Sequence, residues 1–77
     1  MEKQPPMFLA DRKRALASLQ REVIEEFLLK YSIPVADDDR LFWGAVHKAR
    51  VECSDLTEHQ REHSRNWLME NGFKSFF

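Results

Sequence analysis

His47, Cys53, His59 and His63 carry imidazole and thiol groups, the ligands zinc prefers, and they fall in one short stretch of the chain. His59 and His63 stand one helical turn apart, and Cys53 precedes the turn that would join two helices, so a hairpin could draw these three together. The set does not complete itself. His47 lies almost two turns upstream of Cys53, and no paired C-x-x-C knuckle is present. We therefore expect no metal and no other cofactor, with Cys53 a small buried apolar residue and the histidines polar surface or interface groups. Cys53 beside a histidine also has the elements of a nucleophile and its base. A chain of 77 residues, however, offers little room for a pocket that excludes water and positions a substrate. There is no glycine-rich phosphate loop, zincin motif or carboxylate pair in an apolar setting, so an enzyme is not expected.

Binding is the remaining class, and two sets of residues could carry it. Trp43 and Trp67, with Phe73, Phe76 and Phe77 at the end of the chain, are the side chains that dominate interface energetics when the core does not need them. Trp43, Phe76 and Phe77 are the aromatic candidates for a protein partner, and burial of the terminal phenylalanines is the competing role. The second set is basic: Arg12, Lys13 and Arg14 early in the chain, His47, Lys48 and Arg50 in the middle, and Arg61 and Arg65 on one helical face. Lys48, Arg61 and Arg65 are the candidates for nucleic-acid phosphates. Glu22, Glu25, Glu26, Glu52, Glu58 and Glu62 interleave with these cations, which fits a solvated surface with intrahelical pairs such as Glu58 with Arg61 and Glu62 with Arg65.

These residues must be positioned by helices. Leu16, Leu19, Val23, Phe27 and Tyr31 recur at spacings of three and four, which predicts an amphipathic helix over 11–31, with a break near Ala17 and Ser18 as an option and a stop at Ser32-Ile33-Pro34. Asp37, Asp38 and Asp39 form an acidic N-terminus for a second helix over 38–53 and lack the alternation of a calcium loop. Its apolar face is Leu41, Phe42, Ala45, Val46, Ala49 and Cys53, with Gly44 permitting close packing. Thr57-Glu58-His59-Gln60 is a capping box that starts a third helix over 58–70, and Asn71-Gly72 closes it with Phe73 folding back on the last turn. The expected core is Leu16, Leu19, Val23, Phe27, Phe42 and Val46, joined by Ala49, Trp67 and Leu68.

The fold class expected is thus all-α, a small three-helix bundle. Residues 1–10 form an extended N-terminal arm with Pro5 and Pro6, and residues 11–77 form one helical domain ending in an aromatic tail. Twelve Lys and Arg against thirteen Asp and Glu give a net charge of -1, against the basic excess of a generic nucleic-acid coater. One cysteine makes no internal disulfide and fits a reducing cytoplasm. No signal segment or apolar run of membrane-spanning length is present, so no membrane partner is expected.

The stretches LFWGAVHKAR and LTEHQREHSRNWLMENGF, covering roughly Leu41 to Phe73, resemble short helical proteins encoded by bacteriophages and prophages. That resemblance implies a small accessory protein acting by stoichiometric binding to a host protein, without chemistry of its own. The alternative is a regulatory nucleic-acid-binding domain using the basic residues of the second and third helices. Oligomeric state is left open.

Overall fold

Leu19 sets the architecture of the first half. Its backbone, at φ 54° and ψ 26°, is left-handed, a conformation that costs a side-chain-bearing residue about 1 kcal/mol or more. The turn is held from both sides: the Ser18 hydroxyl donates to the Ala15 carbonyl at 2.7 Å and accepts from the Gln20 amide at 3.1 Å. The computed structural model describes residues 7–73. Within them the helices are α1 (Phe8–Ser18), α2 (Arg21–Lys30), α3 (Asp39–Glu52) and α4 (Glu58–Glu70), and no described residue is in a strand. The all-α class therefore holds with four helices where periodicity predicts three. The heptad-like pattern runs through the break because α1 and α2 both turn apolar residues inward on either side of it. Phe8, Leu9 and Ala10, expected in the arm, open α1, while residues 1–6 lie outside the described ones. None of the helices is long and apolar enough to cross a membrane, among the described residues.

The chain divides into two compact units, Met1–Pro34 and Val35–Phe77. In the first, α1 and α2 form an antiparallel hairpin. Ala15, Leu16, Ile24 and Phe27 are buried in it, and Phe8 packs its ring against Phe27 and, edge-on, against Tyr31 at 4.9 Å. Leu19 and Val23, expected in the core, are only half-buried, whereas Ile24, outside the expected core, is 2% exposed. Asp11 is buried beside this aromatic cluster; its Oδ2 accepts from the Tyr31 hydroxyl at 2.6 Å and from Lys30 Nζ at 2.9 Å. The Tyr31 hydrogen bond, then the Lys30 ammonium, hold this carboxyl below the usual carboxylate range.

Helix α2 ends in a Schellman turn. The Ile33 amide donates to the Leu28 carbonyl at 2.8 Å, and Ser32 takes the left-handed position at φ 57°. Serine carries a Cβ penalty that glycine lacks, and Ser32 is exposed, so Ser32→Gly removes strain without removing packing. The variant is expected to gain about 1 kcal/mol, read as a rise of several degrees in melting temperature; an unchanged or lower midpoint would refute the assignment of this turn.

In the second unit, Asp38 caps α3 by accepting from the Leu41 amide at 3.0 Å. At α4 both hydrogen bonds of the capping box form between Thr57 and Gln60. The helices pair antiparallel around Phe42, Val46, Cys53, Leu56 and Leu68, the last fully buried. Ala49 and Trp67 are half-buried, and Leu41 and Ala45, expected on the apolar face, are exposed because that face is centred on Phe42, Val46 and Arg50. Gly72, at φ 85°, closes α4 and returns Phe73 over α3. A Cβ on Gly44 would lie 2.7 Å from the Phe73 ring, so a larger residue there would push the ring off α3.

Candidate functional site

Trp43, His47 and Arg50 follow one another at spacings of four and three, which places them on the side of α3 that meets α4. There they find Ser64, which is fully buried. Arg50 Nε donates to Ser64 Oγ at 2.6 Å, and Ser64 Oγ lies 2.9 Å from His47 Nδ1. Arg50 Nη2 also donates to the Gln60 carbonyl at 3.2 Å. The arrangement that satisfies these groups has Ser64 giving its hydroxyl proton to His47 Nδ1, which puts the ring proton on Nε2 and leaves the imidazole neutral. Burial, with the neighbouring charges of Arg50 and His63, pushes the His47 pKa down to about 4. Burial likewise lowers Arg50 from the usual arginine range.

A serine hydroxyl against a neutral imidazole is the pairing of a nucleophile with its base. Here it does not supply that chemistry. Ser64 is 0% exposed and already accepts from a guanidinium, so its oxygen has neither access to a substrate nor a free path of attack. The cluster is a polar core that fixes α3 on α4.

Around it the aromatic groups form a column. His47 stacks on Trp67 at 4.3 Å between centroids, Trp67 stacks on Phe73 at 5.9 Å, and the Arg40 guanidinium caps the Phe73 ring at 4.3 Å. Arg40 also donates to the Asn71 carbonyl at 2.8 Å. Trp43 meets Phe42 edge-on at 5.0 Å and stays half-buried. The sequence candidates thus separate. Trp43 lies on the column side of α3, and Lys48 is exposed on the same helix. Phe76 and Phe77 lie outside the described residues.

Arg61 and Arg65 do share a face of α4, and the acids of that helix hold them. Arg61 pairs with Glu58 at 3.0 Å, and Arg65 pairs with Glu62 at 2.6 Å and Glu58 at 3.4 Å. The four zinc-type residues do not converge: Cys53 is buried, His59 and His63 are exposed, and His47 is engaged by Ser64. Among the described residues no group of three or more His, Cys, Asp or Glu side chains is placed to hold a metal ion.

Two features escape the sequence patterns. Leu41 and Met69 are each 55% exposed, at the end of the hairpin where the start of α3 meets the end of α4. The first unit carries a cleft of about 360 Å³ between α1 and α2, with Ala15, Val23 and Phe27 as its apolar lining and Arg14 and Glu26 on opposite sides. Compared with known protein families, characterised proteins and solved structures, the chain matches none.

Proposed function

We propose that this chain is a non-enzymatic binding module that acts in the cytoplasm by stoichiometric association with a protein. In the setting suggested by its resemblance to phage-encoded proteins, the partner is a protein of the bacterial host. The observation that carries this reading is the exposure of two large apolar side chains, Leu41 in the first turn of α3 and Met69 in the last turn of α4. Large apolar groups left open to solvent on a small domain are the groups a protein partner would cover. The groups that would serve other functions are engaged within the chain: Ser64 and His47 in the polar core, Arg61 and Arg65 in pairs with Glu58 and Glu62. A phosphate would have to displace those carboxylates, which disfavours the nucleic-acid alternative.

Leu41→Glu and the double variant Arg61→Ala/Arg65→Ala distinguish the two readings. Affinity capture from a bacterial host lysate is expected to retain one protein in stoichiometric amount on the wild type and the double arginine variant, and to lose it with Leu41→Glu. Fluorescence anisotropy with labelled duplex DNA and single-stranded RNA is expected to show only weak association. Binding that is tight, falls steeply with salt and disappears with the arginines would overturn the proposal.

A further inference from the structure

We propose that the cleft face of the first unit is the contact surface for a second copy of this chain, in a two-fold pair held by reciprocal Arg14 and Glu26 contacts. This contact uses only α1 and α2 and is distinct from the partner surface assigned to α3 and α4. Each side of the cleft carries one acid and one base, Asp11 and Arg14 on α1 and Glu26 and Lys30 on α2, and Asp11 pairs with Lys30 within the hairpin. Arg14 on α1 is 77% exposed at its side chain, with a long contact of 3.6 Å to Asp11; Glu26 on α2 is also exposed. Between them the floor of the cleft is formed by buried Ala15 and Phe27 and half-buried Val23. Met7, seven residues before Arg14 on the same helical stripe, extends the region with a side chain 57% exposed.

The arrangement is self-complementary. Asp11 and Lys30 are joined at 2.9 Å, so they stand level in the antiparallel hairpin. Arg14, three residues further along α1, is then level with Phe27 and next to Glu26 on the neighbouring helix. A two-fold axis parallel to the hairpin lays α1 of one copy antiparallel on α2 of the other at the same level. Arg14 then meets the partner's Glu26, and Glu26 meets the partner's Arg14. Isologous contact of this kind requires one patch to present both members of each pair, as this cleft does. The union makes a four-helix arrangement in which each copy covers the other's cleft.

The test is charge reversal read by sedimentation equilibrium at low salt. The wild type is expected to dimerise reversibly. Arg14→Glu and Glu26→Arg are each expected to raise the dissociation constant about tenfold or more, because each creates two like-charge contacts across the axis. Mixing these two variants is expected to restore association, as heterodimers, since Glu at 14 then faces Arg at 26 and the native Glu26 faces the native Arg14. Circular dichroism of each variant separates this result from loss of fold, and the recovery on mixing is one that misfolded chains would not show. A wild type that stays monomeric at high concentration, or a dimer equally strong in both single variants, would overturn the proposal.

Discussion

Val46→Asp is expected to abolish the cooperative unfolding transition of the α3–α4 hairpin. Val46 is 6% exposed, among Phe42, Leu68 and the other buried groups of that pair. A carboxylate there enters an apolar layer whose nearest cation, Arg50 one turn on, is already held by Ser64 and the Gln60 carbonyl, and burying that charge destabilises by about 4 kcal/mol. Small domains have total stabilities near the lower end of about 5–15 kcal/mol, so this one change removes most of it. Both tryptophans of the chain, Trp43 and Trp67, belong to these helices, so their fluorescence reports this unit specifically. The expected spectrum is that of solvent-exposed indole, with loss of helicity in circular dichroism. Native-like emission and a cooperative melt in the variant would rule out the packing described here.

Acidification is expected to weaken the same hairpin well before the carboxylates titrate. The His47 pKa is about 4 in the folded chain against an ordinary 6.5. A lowered folded-state pKa means that the unfolded chain binds the proton first, so stability is fully present above 6.5 and declines as the pH falls toward 4. Burial resists the charge first, and the neighbouring Arg50 and His63 resist it by like-charge repulsion. Protonated His47 would present a second donor to a serine oxygen already receiving Arg50. The loss amounts to about 3 kcal/mol over that interval. Asp11 acts in a lower window, since its pKa lies below 3.8 in the folded state and its contribution disappears only as the pH falls through that lower value. Urea midpoints measured by tryptophan fluorescence at about pH 7 and about pH 5 check the claim; in His47→Gln the difference between them should largely vanish. A wild-type midpoint that does not move between those pH values would contradict the buried neutral histidine.

The helix ends were the most legible part of this sequence, because they are set by local chemistry. Asp38, the Thr57 and Gln60 pair, and Gly72 each act through hydrogen bonds within a few residues, and each does what its spacing implies. The break at Leu19 was harder to place: leucine favours helix, and only the back-bonding Ser18 signals the turn. The polar core was visible in part. Ser64 stands one turn before Trp67 and Leu68, which read as core, but nothing local distinguishes a buried Arg50 from the exposed Lys48 two residues earlier. That distinction arises only when α4 supplies Ser64 and the Gln60 carbonyl. For the same reason Leu41 reads as part of the apolar face from its periodicity, while the structure centres that face on Phe42 and leaves Leu41 open. The basic residues of α4 were legible as ion pairs, since Glu58, Arg61, Glu62 and Arg65 stand at helical spacing.

Site-specific photo-crosslinking at Leu41 in host cells tests the binding proposal most directly. A photoreactive phenylalanine analogue there is expected to give one discrete protein adduct. The same group at Asp55, in the exposed turn between α3 and α4, is expected to give none. Absence of an adduct at Leu41, equal labelling at both positions, or crosslinks to nucleic acid would contradict a protein-binding surface at the Leu41 and Met69 end of the hairpin.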